Sequence, residues 1–226
     1  MQRKTFTRAA IFLLFTSLHA QQRVPSFADE FNVPQLDLAR WVPHDPQDSL
    51  NQDRLNDKAP VSPAASDLRI SGGQLHIPPG GALSTFGIFA QTYGRFEILA
   101  KAPTAKGLRA RFRLMPVPFG SLPAIDIFEA SGTPAKISLT NRWGTEQTER
   151  SFAESLSSPD LSAEFHTIAV EWTREHISWL IDGKEKFRSI DGIPHQPMYL
   201  LLDLAGAGPA TETLDVDYVR VYTAMP

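Results

Sequence analysis

Two carboxylates stand three residues apart in an otherwise apolar run, Ala124-Ile125-Asp126-Ile127-Phe128-Glu129. Acids that share a surface can move protons to and from a bond held between them, so the faces these two occupy matter. The run is rich in β-branched and aromatic residues and reads as a strand. Strand side chains alternate, which puts Ala124 and Asp126 on one face and turns Glu129 to the other. One extra residue at Ile127-Phe128, a β-bulge, returns Glu129 to the face of Asp126, and bulges beside active sites re-aim side chains in this way. A second set lies upstream. Arg109, Arg111 and Arg113 alternate with Leu108, Ala110, Phe112 and Leu114, so three guanidinium groups project from one face of a strand and an apolar set from the other.

The elements that must position these groups are short strands. Residues 68–70 and 74–77 alternate around Gly72-Gly73, a hairpin signal. Further strand candidates are 93–100, 108–114 and 125–128. Residues 165–172 alternate cleanly, and 177–181 runs into Asp182-Gly183, the strongest short-range hairpin dipeptide. Strands at 198–204 and 214–221 close the sequence. Residues 43–66, with Pro43, Pro46, Pro60 and Pro63, read as a long surface loop. No window sustains a helical period, so the expected architecture is all-β: two antiparallel sheets packed as a sandwich or jelly roll.

The first twenty residues stand apart. Arg3, Lys4 and Arg8 precede a short apolar core at 9–18, and Leu18-His19-Ala20 ends on a small residue. This is the layout of a secretory signal peptide cut near Ala20; the core is too short for a bilayer, which takes about 20 apolar residues. The expected organisation is a leader at 1–20 and one β-sandwich domain at 21–226, secreted or periplasmic. Losing the leader's three positive charges leaves 19 Lys and Arg against 25 Asp and Glu, a net charge of −6. An acidic exported chain is a poor match for nucleic acid. There is no cysteine, which excludes disulfides, thiolate catalysis and thiolate metal sites. No Ser/His/Asp triad, phosphate-binding glycine loop or zinc spacing is visible, and His166 and His176 read as structural histidines.

The run around Asp126 resembles the signature of glycoside hydrolase family 16, the laminarinase-like endo-β-glucanases, which reads Glu-Ile-Asp-Ile-Phe-Glu in bulged form. Other stretches resemble the family in the right order: Asp29-Glu30-Phe31-Asn32, Leu36-Asp37 with Trp41, Tyr93-Gly94-Arg95-Phe96-Glu97, 165–172, Trp179 with Ile181-Asp182-Gly183, 198–204 and 216–222. The resemblance implies a jelly roll with a concave cleft. It also implies a retaining mechanism, in which two carboxyl groups about 5–5.5 Å apart flank the glycosidic bond. Carried over by position, Glu129 matches the acid/base, Asp126 the acid that tunes it, and Ala124 the nucleophile. A methyl group cannot attack carbon, and loss of a covalent nucleophile costs on the order of a million-fold in rate. Glu97 and Asp203, on strands expected to flank the cleft, are the candidate replacements. An inverting reaction with Asp126 as base fits less well, because it needs carboxyls about 6.5–9.5 Å apart.

The same resemblance matches Arg109 and Arg113 to two cleft tryptophans that stack on sugar rings. Two readings of the arginine stripe are open: a site for the anionic groups of an acidic polysaccharide, bound as bidentate forks, or internal pairing with Glu97, Asp126, Glu129 and Asp203. The second weighs more, since three unpaired like charges on one strand would repel. Asn141 and Trp143 match a cleft position and a sugar platform, with a structural Trp the competing reading. Asp217 matches a structural calcium position, although Ca²⁺ takes six to eight oxygens; no cofactor is otherwise required. Three functions follow. The chain binds an extracellular β-linked polysaccharide or oligosaccharide with weak or absent hydrolysis. Or it is an active endo-glycosidase with a relocated nucleophile. Or it is a non-catalytic structural or partner-binding module.

Overall fold

Alternating apolar and polar residues become strand after strand. The computed structural model describes residues 24–43, 68–133, 135–145, 147–157, 159–209 and 211–224; the expected leader and nearly all of the expected 43–66 loop lie outside them. Among the described residues there is no helix, and so none long and apolar enough to cross a membrane. The fourteen strands are β1 (Phe27–Asp29), β2 (Arg69–Ser71), β3 (Gln74–Ile77), β4 (Ala82–Ser84), β5 (Gly94–Lys101), β6 (Arg109–Pro116), β7 (Ala124–Ala130), β8 (Lys136–Trp143), β9 (Arg150–Ser157), β10 (His166–Trp172), β11 (Ile177–Ile181), β12 (Lys184–Ser189), β13 (Met198–Ala205) and β14 (Leu214–Tyr222).

They form two antiparallel sheets, the jelly-roll sandwich expected from the sequence. The first runs β12-β11-β10-β5-β14-β3-β2, with β1 also paired to β14; the second runs β4-β13-β6-β7-β8-β9. Between them lies one apolar layer. Phe96, Ile98, Val170, Trp172 and Trp179 of the first sheet meet Phe112, Leu114, Phe128, Leu139, Leu200 and Leu202 of the second, all fully buried. Each large side chain so buried contributes roughly 1.5–3 kcal/mol, which is how a chain without disulfides holds two sheets together.

Both hairpin signals form. Ser71 pairs with Gln74 across Gly72-Gly73, and Ile181 with Lys184 across Asp182-Gly183. Asp182 and Gly183 have φ of 49° and 72°, the positive values at both central positions that a type I′ turn demands. Strands β1, β4, β8, β9 and β12 are additions to the sequence reading. β9 is an exposed edge strand with no buried face to leave a signature. It is held by its ladder to β8 and by Phe152, whose ring stacks on Phe187 of the opposite sheet at 5.0 Å between centroids.

Candidate active site

Strand β7 carries the bulge read from the sequence. Against β8, Asp126 pairs with Thr140 and Glu129 with Ser138, so three steps on β7 match two on its neighbour. Against β6, Arg113 pairs with Asp126 and Phe112 with Phe128. Ile125, Ile127 and Phe128 all enter the core, which leaves Asp126 and Glu129 together on the outer face of the six-stranded sheet. The bulge is pinned from inside: Trp179 of β11 donates its indole N–H to the main-chain carbonyl of Asp126 at 2.9 Å.

That outer face is the cleft side, and its residues form rows across the strands. One row is apolar. Ala124 is fully buried there in a small cluster with Met115, Tyr199, Leu201 and Ala82, against which Phe86 and Val117 pack. The next rows are charged. On β6 and β13, Arg113 lies beside Leu201 and Arg111 beside Asp203. Arg111 donates through Nε and Nη2 to Asp203 Oδ2 at 2.9 and 2.5 Å, while Arg113 Nη2 donates to Asp203 Oδ1 at 2.9 Å. Both carboxylate oxygens of Asp203 are therefore engaged, and the side chain is only 6 % exposed.

Asp126 meets a different arginine. Arg142 of β8 stands opposite Ala124, and its Nη2 reaches diagonally to Asp126 Oδ1 at 3.3 Å. Burial pushes the Asp126 carboxyl above its ordinary range; Arg142 and Arg113 oppose that rise and Glu129 adds to it. Glu129 is half-buried, lies opposite Arg111 of β6, and accepts from the Ser131 hydroxyl at 3.0 Å. Arg109, at the end of the stripe, is exposed. For Arg111 and Arg113 the internal-pairing reading holds, with Asp203 as the partner. Asp126 finds its partner in Arg142, a residue the sequence reading passed over.

Several expected cleft residues sit elsewhere. Glu97 lies on β5 of the opposite sheet, on the face away from the core, where its carboxylate accepts from Arg95 at 2.6 and 2.8 Å and from the Tyr218 hydroxyl at 2.9 Å. It cannot replace a cleft nucleophile. Asn141 and Trp143 share the inward parity of Ile137 and Leu139 on β8, not the cleft parity of Ser138, Thr140 and Arg142. Asn141 is fully buried and donates to the carbonyls of Asp191 and Gly192 at 2.7 and 3.2 Å. Trp143 lies flat against Gly192, where a Cβ would come within 2.0 Å of the ring. Both therefore clamp the 190–193 loop, and the sugar-platform reading of Trp143 gives way to the structural one.

Asp217 is the unpaired residue of a bulge between Val216 and Tyr218 on β14. It offers one carboxylate, and among the described residues no group of three or more His, Asp or Glu converges to hold a metal. A calcium ion there would rest mainly on main-chain carbonyls and water. The sequence reading also missed Met115, Tyr199 and Leu201 as cleft residues. Their parity with Arg113 and Asp203 was the available signal.

A family model described as glycosyl hydrolases family 16 matches residues 58–220. Two endo-1,3-1,4-beta-glycanases of Rhizobium meliloti are 35% and 31% identical to the chain, over 88% and 77% of it. The chain spans only 51% and 39% of their lengths. Among solved structures, the laminarinase of Rhodothermus marinus superposes with a TM-score of 0.72 at 26% identity, covering 89% of this chain and 98% of that one.

Proposed function

The chain belongs to glycosyl hydrolases family 16, and from that premise we propose that its cleft holds a β-linked polysaccharide while hydrolysing it weakly or not at all. The single observation that carries the reading is the burial of Ala124 under Met115, Tyr199 and Leu201. Had the position matched to the nucleophile merely lost its carboxylate, a polar gap would remain beside Asp126 and Glu129. Apolar side chains fill it instead. The relocated-nucleophile reading loses both of its candidates: Glu97 is on the wrong sheet, and Asp203 has both oxygens bound by arginine. An ion-paired carboxylate is a poor nucleophile because attack must first strip those donors from it.

The names of the relatives make β-1,3- and β-1,3-1,4-linked glucans the polymers to try first. The half-buried carboxyl of Glu129 and the hydroxyl-rich strip of Ser138, Thr140, Ser151 and Ser155 beside it are consistent with a hydrogen-bonding trough. The leader pattern at residues 1–20 makes export part of the proposal, and Asp217 would be the one carboxylate of any structural calcium. A structural, glycan-independent role is the second reading, favoured by the closure of Arg111 and Arg113 onto Asp203.

Affinity electrophoresis and reducing-sugar release on laminarin, mixed-linkage glucan, agar and carrageenan separate these. The expected result is retardation by one glucan without release of reducing ends, unchanged by azide or formate, because the apolar cluster leaves no room for a substituting anion. Steady release by the unmodified protein would defeat the proposal. No retardation by any polymer would favour the structural role.

A further inference from the structure

On the far side of the molecule, the fold assembles what the sequence did not reveal. Ser71 and His76 flank the β2–β3 hairpin, and β14 lies against β3 so that Asp215 stands opposite His76. His76 Nδ1 lies 2.7 Å from Asp215 Oδ1, and His76 Nε2 lies 3.0 Å from Ser71 Oγ. We propose that Ser71, His76 and Asp215 form a nucleophilic triad that accepts the acyl group of small esters.

The contacts assign the roles. A carboxylate at Nδ1 fixes the N–H on that nitrogen, which leaves the Nε2 lone pair to accept the Ser71 hydroxyl proton. Asp215 is itself held, because the Thr213 hydroxyl donates to Oδ1 at 2.6 Å. The side chains of His76 and Asp215 are 20% and 21% exposed, whereas Ser71 is open to solvent. The base and its orienting acid are thus sheltered and the nucleophile is accessible. Nε2 also lies 3.3 Å from the Ser71 carbonyl, an acceptor for the proton it takes up.

The turn supplies the rest. Ser71 pairs directly with Gln74, so the amides of Gly72 and Gly73 fall at the centre of a two-residue turn, outside the ladder, and follow the nucleophile in the chain. Backbone N–H groups in that place can bind a developing oxyanion. There is space for an acyl group: nothing lies within 4 Å of where a Gly72 Cβ would be, and only Asn32 Oδ1, at 3.5 Å, lies that near at Gly73. A shallow hollow of about 420 Å³, lined by Leu36, Leu68, Ile70 and Arg69, opens beside Ser71.

In the reaction, Ser71 Oγ forms a bond to the ester carbonyl carbon as its proton passes to His76 Nε2. The carbon–alkoxide bond then breaks, and the alcohol leaves with that proton. Water, deprotonated by His76, attacks the acyl-serine, releasing the carboxylic acid and restoring the hydroxyl. Neither metal nor oxidant takes part, and the cleft on the other sheet plays no role, so this proposal stands or falls apart from glycan binding.

The test uses the whole protein with p-nitrophenyl acetate and with a fluorophosphonate probe, followed by peptide mapping. The expected label is on Ser71. Ser71→Ala should lose it and lower nitrophenol release at least tenfold, with Tm unchanged because Ser71 is an exposed turn residue. Asp215 acts through His76 as a positioning residue. Asp215→Asn should slow labelling by a hundredfold or more, in line with the loss of the correct tautomer in a serine triad, and Asp215→Glu should recover part of that rate at similar Tm. Labelling on another residue, no labelling, or nitrophenol release by Ser71→Ala at the parent rate would each overturn the proposal.

Discussion

The two outer faces of the sandwich use one sequence device with opposite consequences. On β6, Arg111 and Arg113 alternate with core residues and close on Asp203 of β13. On β5, Arg95 and Glu97 alternate with Phe96 and Ile98, and Arg95 bonds Glu97 and Glu171 while Arg220 bonds Glu30. The difference is water. In the cleft, Arg113 and Asp203 are 8% and 6% exposed and lie beside an apolar cluster; on the other face, Glu171 is 48% exposed. Charges of the first kind are locked into one arrangement, because each would be costly without its partner. On the other face Arg95 and Glu97 are themselves largely enclosed, at 19% and 11%, and it is the outer members, Glu171 and the Arg220–Glu30 pair, that can exchange a partner for solvent at little loss. A cleft whose cations are paired internally has few left for an anionic ligand, which favours the neutral glucans among the polymers to be tried.

The sharpest test of that contrast is Asp203→Ala. It removes the acceptor shared by Arg111 and Arg113 and leaves two guanidinium groups facing each other on a buried strand pair. Breaking a buried pair in this way costs about 3–5 kcal/mol, read from the urea midpoint at constant slope. A loss under 1 kcal/mol would mean that the cleft charges relax into water as readily as those outside, and the contrast would collapse. Next in size is Trp179→Phe, which leaves the buried Asp126 carbonyl without its indole donor. The expected cost is about 1–3 kcal/mol. The analogous clamp on the other edge, Trp172 N–H to the Pro194 carbonyl, is the control for loss of an indole hydrogen bond away from the bulge.

How much of this was legible follows from what alternation can and cannot say. It gave the parity of 108–114 and 165–172, and it required the bulge that joins Asp126 to Glu129; on 214–221 the bulge at Asp217 shifts the parity midway. It could not say which sheet a strand enters. Glu97 and Arg113 each alternate with buried residues, yet one lies on the outer face of the eight-stranded sheet and the other on the cleft face, because only β6 has β7 and β13 as neighbours. Asn141 and Trp143 are a different failure, since parity with Ile137 and Leu139 already pointed them inward, and resemblance by position overrode it. Ser71, His76 and Asp215 were beyond reach, the last two standing 139 positions apart in the chain. A ladder between distant strands leaves no local trace.

A pH series separates the faces by sign. Burial holds the Asp126 carboxyl above its ordinary range, so the folded chain binds that proton more tightly than the unfolded chain does. Its contribution to stability is fully present below the unfolded value of about 3.8 and is lost as pH rises through the higher folded value. Relative to Asp126→Asn, the parent should therefore gain stability on acidification from neutrality toward that unfolded value. Parallel stability curves for the two proteins would show that Arg142 and Arg113 fully offset the burial. On the outer face, Glu185 shows the opposite direction: its bond to Arg188 holds it low.

The smallest effect is expected at Glu171→Gln. Glu171 is half in water, and its loss leaves Arg95 still bonded to Glu97 through Nε and Nη2. An exposed pair of this kind contributes about 0–1 kcal/mol, and the variant should sit within that range of the parent in urea unfolding. Salt sharpens the comparison. At 1 M ionic strength the screening length falls to about 3 Å, so whatever difference Glu171→Gln shows in dilute buffer should vanish there. The deficit of Asp203→Ala should largely persist, because solvent ions do not reach a carboxylate enclosed by two arginines. Equal salt sensitivity of the two variants would place both networks in the same solvent, and the cleft would then have to be treated as open and its arginines as available to ligands.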